Sequence, residues 1–231
     1  MNLLALDTSS IACSVALQFG DAVLERHEEQ PREHTRLLMP MIRSLLEESG
    51  TGLGDLDGIV LGNGPGSFIG MRIAASVAQG LAFASGLPVV PISSLEAVAR
   101  EVFDDGNVRE VVVAQDAHMN EVYLGIFERD GDGPVTAKVP ERLHGQGRIE
   151  GLDPAHVDGR VAAGFGWQRY PGLLAANERQ FGRLSGVWHP HARYLLPPGA
   201  AAMAEGRLTD PKALNPAYLR QKVAEKPAER T

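Results

Sequence analysis

The 231-residue sequence predicts an α/β protein built from two related halves. Three observations carry that expectation. Short apolar runs alternate with helix-spaced segments through the first half. A glycine-dense bend, Gly62-Asn63-Gly64-Pro65-Gly66-Ser67-Phe68-Ile69-Gly70, joins an apolar run to a helix-compatible one. The second half then reopens as the first begins. Val111-Val112-Val113-Ala114-Gln115-Asp116 echoes Leu3-Leu4-Ala5-Leu6-Asp7, and a second apolar run follows each at a similar offset.

Taken in order, strands at 3–6 and 12–19 are joined by Asp7-Thr8-Ser9-Ser10, and a third, 22–28, follows the turn at Gly20-Asp21. Residues 34–48 have helical spacing, broken by the glycines of 50–54. A short buried strand at 59–61 precedes the glycine bend, in which Ser67 is a candidate helix cap. Residues 73–84 predict a helix, 89–92 a strand, and 95–103 a helix with Ser94 as its cap. The polar turn cluster Asp104-Asp105-Gly106-Asn107 marks a boundary between a first lobe, 1–105, and a second, 106–231. The second lobe opens with strands at 111–116, 122–127 and 135–139. Its pattern then weakens to a strand at 161–163 and helices at 172–179 and 200–205, the last placed to pack back on the first lobe. Residues 221–231 read as a charged, frayed end.

The formal net charge is −7 and Lys and Arg do not cluster, which disfavours direct nucleic-acid binding by this chain alone. The single cysteine, Cys13, lies in an apolar run and reads as a small buried hydrophobe in a reducing compartment. The chain reaches a strand and Asp7 at once, without a signal-peptide pattern. The uncharged stretch from Ile73 to Leu95 is broken by Gly80, Gly86, Pro88 and Pro91, and its helical part is short for a bilayer. The expectation is a soluble cytoplasmic protein.

The glycine bend fits neither common nucleotide fingerprint. A phosphate-binding loop would end in Gly-Lys-Ser/Thr, whereas Gly70 is followed by Met71 and Arg72. Counting from Gly64, glycines fall at the first, third and seventh places, and no acidic residue ends the next strand near Val90. Two readings stay open: backbone N–H groups that cradle an anion, or a turn that lets elements approach closely. Asp7-Thr8-Ser9 has two readings as well. Asp7 holds a metal-bound water beside phosphates, or it bonds turn N–H groups. With Asp116 as counterpart, Asp7, Thr8, Ser9, Gly64, Gly66, Ser67 and Asp116 are the candidate residues of a degenerate nucleotide cleft.

Catalytic and metal sets are not in view. Of the seven histidines only His189-Pro190-His191 is closely spaced, without a nearby carboxylate. No Gly-x-Ser-x-Gly elbow surrounds Ser67, and nothing nominates a Ser-His-Asp set. The helices say more. Leu37, Leu38, Met39, Met41, Ile42, Leu45 and Leu46 cover an arc of about 200°, roughly twice what a surface helix on one sheet needs. Gly70, Ala74, Ala78 and Ala82 recur every four residues, a smooth stripe for close helix approach. Either the two helices are internal or they form an interface. In the second case the contact residues are Leu37, Leu38, Met41, Ile42, Leu45, Gly70, Met71, Ala74, Val77, Ala78 and Leu81.

The motifs together resemble a known family. Gly64-Pro65-Gly66-Ser67-Phe68-Ile69-Gly70-Met71-Arg72 is similar to the Gly-Pro-Gly-Ser-Phe-Thr-Gly-Leu-Arg stretch of the TsaB family, also called YeaZ. Leu6-Asp7-Thr8-Ser9, His34-Thr35-Arg36-Leu37-Leu38-Met39-Pro40, Asp116-Ala117-His118-Met119-Asn120-Glu121-Val122-Tyr123 and Asn215-Pro216-Ala217-Tyr218-Leu219-Arg220 match it in order. Ile69 stands where the family commonly has Thr, and His118 where it has Arg.

The resemblance implies duplicated actin-like, RNase H-like lobes of βββαβαβα type around a cleft. It also implies a role in making threonylcarbamoyladenosine on tRNAs reading ANN codons, as a non-catalytic partner of the transferase TsaD. Further implied partners are the ATPase TsaE, docking transiently, and a second copy when the chain is alone. Transfer RNA is met through the complex. No intrinsic cofactor is implied, with ATP or ADP at the complex interface. TsaD-like proteins carry a His-x-x-x-His metal pair on the first helix; here His34 is followed four residues on by Leu38. The alternatives are a stand-alone actin-fold ATPase or phosphotransferase using Asp7, the 64–70 loop and Asp116, and a peptidase.

Overall fold

The computed structural model describes residues 1–104 and 106–220 and turns the two halves into two five-stranded sheets of the same strand order. The first half runs β1 (Leu3–Asp7), β2 (Ala12–Phe19), β3 (Ala22–Glu29), α1 (His34–Ser49), β4 (Gly58–Gly62), α2 (Phe68–Ser85), β5 (Val89–Ile92) and α3 (Ser94–Asp104). The second runs β6 (Glu110–Asp116), β7 (Val122–Glu128), β8 (Thr136–His144), β9 (Arg160–Ala163), α4 (Gly166–Arg169), α5 (Pro171–Asn177), β10 (Arg183–Leu184) and α6 (Leu196–Ala204). The sheets read β3-β2-β1-β4-β5 and β8-β7-β6-β9-β10. In each, three strands form an antiparallel meander and two more join in parallel. This is the duplicated α/β architecture expected of actin-like lobes.

The second copy is incomplete. Where the first lobe inserts α1, the second has only a short 3-10 turn, Pro154–His156, between β8 and β9. Residues 145–159 hold Gly145, Gly147, Gly151, Gly159 and Pro154 and lack a helical apolar stripe, so no helix is stable there. Helix α2 begins at Phe68 rather than 73, because Ser67 caps it by accepting from the Gly70 N–H. At 18 residues it is long and apolar enough to cross a bilayer, so its length does not argue against a membrane span. Gly70, Met71, Ala74, Ala75, Ala78 and Ala82 are instead buried against the protein's own core. Helix α3 is capped by Ser93, whose Oγ accepts from the N–H groups of Leu95 and Glu96, and not by Ser94. Helix α6 starts four residues early because Pro197 and Pro198 sit in its first turn, where a missing N–H costs nothing. The expected frayed end, 221–231, and Asp105 of the boundary cluster lie outside the described residues.

The core explains why the lobes hold together. One face of the first sheet (Leu4, Leu6, Cys13, Val15, Leu17, Ile59, Leu61) is covered by α1 and α2. Its other face (Leu3, Ala5, Ala16, Val60, Val90) is covered by Leu195, Leu196 and Ala202 from the second half. Conversely, Leu95, Val98, Ala99, Val102 and Phe103 of α3, from the first half, pack on Val111, Val113, Phe127 and Val161 of the second sheet. Trp167, Tyr170 and Leu173 cover its far face against Val112, Leu124 and Ile126. Each sheet is thus covered partly by helices from the other half. Both central strands, buried on both faces, read as unbroken apolar runs for that reason.

A hydrogen bond joins the halves at the start of α3, where Ser93 Oγ–H donates to Glu141 of β8. Burial pushes the Glu141 carboxyl up to about 7. A carboxyl raised in the folded state favours folding at low pH, and that contribution is lost as pH rises through about 7. Glu141→Gln is therefore expected to raise the thermal midpoint relative to the parent at pH 8 and to leave it nearly unchanged at pH 5, read by calorimetry in parallel buffers. At Gly199 of α6 a Cβ would run into the Val60 side chain. Gly199→Leu is expected to cost about 1–3 kcal/mol in urea denaturation by lifting α6 from the sheet.

Candidate functional site

The end of β1 and the glycine bend are locked together by buried hydrogen bonds. Asp7 is 1% exposed. Its Oδ1 accepts from the Ser9 N–H and Ser9 Oγ–H, each at 2.8 Å, and its Oδ2 from Ser94 Oγ–H at 2.6 Å. Ser94 Oγ in turn accepts from the Gly64 N–H at 3.0 Å. Burial pushes the Asp7 carboxyl above the usual carboxylate range, while the Ser94 and Ser9 hydrogen bonds oppose that shift. Asp7 is a tie between turns. Both its oxygens accept hydrogen bonds from the protein, which favours the second of its two readings, the one that bonds turn groups.

The glycines answer to the same contact. Thr8 Oγ1–H donates to the Gly70 carbonyl at 2.6 Å and the Ser67 N–H donates to the Ser9 carbonyl at 2.6 Å. A Cβ at Gly66 would strike the Ser9 carbonyl, one at Gly70 the Thr8 carbonyl. Of the two readings of the bend, the close backbone approach accounts for these glycines. The N–H groups of Gly64, Ser67, Gly70 and Met71 are all taken within the chain, so these donors do not form an anion cradle.

Asp116 occupies the equivalent place in the second sheet but a different environment. It is half-buried; its Oδ1 accepts from the His118 N–H at 2.8 Å and from Tyr170 O–H at 2.7 Å. Burial and Asp116 together push the Tyr170 phenol up to about 12. Between the lobes lies a cavity of about 740 Å³. Ser9, Gly66, Ser67 and Asp116 line it, whereas Asp7, Thr8 and Gly64 are not among its lining residues. Much of its mouth is apolar: Ile11, Phe68, Ile69, Met119 and Tyr218 line it and are all exposed.

The histidines do not assemble a metal centre. His34 is buried with Nε2 3.0 Å from the Ser10 carbonyl. His191 stacks on His27 with ring centroids 3.8 Å apart and sits 3.5 Å from Glu25. Burial depresses His27 and His189, while the Glu25 hydrogen bond raises His191. Among the described residues no group of three His, Cys, Asp or Glu side chains could hold a metal ion.

The expected helix interface needs correction. Leu38, Met41, Ile42, Leu45, Gly70, Met71, Ala74 and Ala78 are all buried inside the chain itself. The small-residue stripe is the inner seam of α2, not an outer surface, because only Gly and Ala let the helix sit that close to β1, β4 and α1. Leu37, Val77 and Leu81 are half-buried. The outer face of α2 carries Ile69, Ile73, Ser76, Val77, Gly80, Phe83 and Ala84, with Ile69 70% and Phe83 75% exposed. Sequence reasoning passed over Ile69, Ile73 and Phe83. Their signal was a second uncharged stripe about a third of a turn from the glycine–alanine one.

The family model described as "TsaD: tRNA N6-adenosine threonylcarbamoyltransferase" matches residues 25–154. The TsaB protein of Escherichia coli, a tRNA threonylcarbamoyladenosine biosynthesis protein, is 36% identical over 97% of this chain and 96% of its own length. Its Haemophilus influenzae namesake is 35% identical over 96% and 95%. YeaZ from Pseudomonas aeruginosa superposes with a TM-score of 0.85 at 37% identity, covering 94% of this chain and 99% of its own. A second Pseudomonas aeruginosa structure, of a protein described as similar to the peptidase YeaZ, gives 0.86 at 37% identity over 95% and 99%.

Two substitutions test the inner seam. Ala78→Arg buries an unpaired charge and is expected to abolish the cooperative thermal transition. Gly70→Ala is expected to cost about 1–3 kcal/mol in urea denaturation, by forcing the bend off Thr8. Full stability of either variant would place that stripe outside the core.

Proposed function

Because the chain belongs to the TsaB family of tRNA threonylcarbamoyladenosine biosynthesis proteins, we propose that it serves this modification as the non-catalytic partner of a TsaD-type transferase. The transferase moves the threonylcarbamoyl group to adenosine; this chain binds it and shifts it toward its competent state. The observation that carries the reading is the outer face of α2. Ile69, Ile73, Val77 and Phe83 form an apolar stripe on α2, a helix whose acidic and basic side chains amount to Arg72 alone.

Further parts of the proposal follow from the same surface. Alone, the chain covers it with a second copy; in the complex, TsaD covers it and TsaE docks on the pair. Transfer RNA engages the assembly and not this acidic chain directly, and ATP or ADP sits at the assembly's interface. The work takes place in the cytoplasm. The engagement of Asp7 by Ser9 and Ser94 supports this over a stand-alone ATPase, because that carboxyl group is buried, lies off the cavity lining and is occupied by three hydrogen bonds within the chain. The peptidase reading finds little support, because the serines that meet carboxylates, Ser9 and Ser94 on Asp7 and Ser93 on Glu141, serve the turns and the start of α3.

The test is reconstitution of tRNA threonylcarbamoylation from purified components with and without the chain, beside an ATPase assay of the chain alone. Val77→Arg and Ile73→Arg are expected to keep the far-ultraviolet circular dichroism spectrum. Each should weaken binding to the transferase by roughly 2 kcal/mol, about thirtyfold, with modification falling in step. Undiminished modification without the chain, or steady ATP turnover by the chain alone, would overturn the proposal.

A further inference from the structure

Three stretches far apart in sequence meet at the mouth of the cleft: the glycine bend, the turn after β6, and residues 215–220. The last of these begins as part of the first lobe. Leu214 is buried in the core of α1 and α2, and Gln79 Nε2–H donates to the Pro211 carbonyl at 2.9 Å. Asn63 then holds the backbone from both sides. Its Nδ2–H donates to the Asn215 carbonyl at 3.1 Å, and its own carbonyl accepts from the Ala217 N–H at 3.0 Å. Within three residues the chain has changed lobes. Tyr218 lies 5.6 Å from the Phe68 ring, the Arg72 guanidinium sits over Phe68 and 5.3 Å from the Tyr218 ring, and Leu219 packs on the core cluster of the second sheet. Arg220 Nη2–H donates to the Ala117 carbonyl at 3.0 Å and pairs with Glu121 at 2.7 Å.

The turn that Arg220 grips is itself held in an unfavourable backbone state. His118, Met119 and Asn120 are consecutive non-glycine residues with φ of 58°, 52° and 62°. Such a run is stable only where its surroundings over-determine it. Asp116 bonds its first N–H and the Ala117 and Glu121 backbones close it, while Arg220 takes the remaining Ala117 carbonyl and the Glu121 carboxylate. The pair is partly shielded, with Arg220 17% and Glu121 35% exposed, so it is screened less than a fully exposed one. Tyr218 and Arg220 both line the cavity, whereas no residue of α3, of α6 or of the 191–195 segment, which joins the halves through Ser14 and Glu25, does so.

We propose that residues 215–220 are a clasp across the interlobe cleft. Anchored on Asn63, it sets the width of the cavity by holding the Ala117–Glu121 turn, and release of Arg220 opens the cavity while the exchanged helices keep the lobes attached. The clasp acts within one chain and does not depend on the identity of any partner.

Paired spin labels on full-length protein test it. Cys13 is fully buried with its thiol pushed up to about 12, so labels go to Glu47→Cys on α1 and Asp132→Cys in the second lobe. Pulsed dipolar distances in spin-diluted samples are read with amide exchange by mass spectrometry. Arg220→Ala is expected to lengthen and broaden the distance distribution and to speed exchange at 117–121 by roughly tenfold. Glu121→Gln, which keeps the shape of the side chain, should give the same changes at smaller size. Arg207→Ala, which breaks the exposed pair with Glu205, should give neither. Unchanged distances and exchange in both clasp variants would overturn the proposal. So would faster exchange spread evenly over both sheets, since that reports global loss of stability.

Discussion

Backbone packs on backbone where Thr8 and Ser9 meet Gly66 and Gly70, and the rest of the first lobe is arranged around that contact. No side chain fits between the two turns, so the carbonyls of one bond groups of the other directly. Asp7 supplies the carboxyl oxygens that satisfy the buried donors nearby, and Ser94 carries the tie onward to the next helix. The start of α2 is fixed by this contact, and so is the helix's rotation about its own axis. Its small residues turn inward, and Ile69, Ile73 and Phe83 are left facing out. A feature that looks like a ligand loop in one dimension is here the device that decides which face of a helix a partner can meet.

The first lobe was largely legible in its residues. Its strands are bounded by turn residues, α1 ends on Gly50 in the left-handed conformation, and apolar periodicity separates helix from strand without conflict. The second lobe was legible at β6, β7, β8 and β9 and near α5, and not in the connections between them. Between β8 and α6 the 3-10 turns, the four-residue α4, the two-residue β10 and the glycine-bearing loops leave no periodic trace. The start of α2 was missed because Gly70 lies in its first turn, where propensity argues against helix and only the Ser67 cap argues for it.

The site was readable in its parts and not in their orientation. Periodicity located the glycine–alanine stripe correctly, but a smooth stripe signals that something comes close and does not say whether that is a partner or the protein's own sheet. Asp7 and Asp116 end equivalent strands, and sequence treats them alike. Their environments differ because Ser94 and Gly64 reach Asp7 from elsewhere in the chain, while Asp116 meets Tyr170 and the edge of a cavity. Burial made by distant segments is what a linear reading lacks. The closing motif, Asn215 to Arg220, gave no chemical hint by itself; its sense comes only from Asn63 on one side and Glu121 on the other.

The trade of helices between the sheets also bears on how such a molecule can arise and be taken apart. A gene copy fused to itself first gives two self-sufficient beads. Here α3, encoded upstream, roofs the downstream sheet, and α6 does the reverse. Cutting the polypeptide at its midpoint would leave each fragment with a bare greasy patch and a helix that belongs to its sibling. The halves are therefore bound to be inherited, synthesised and degraded as one body.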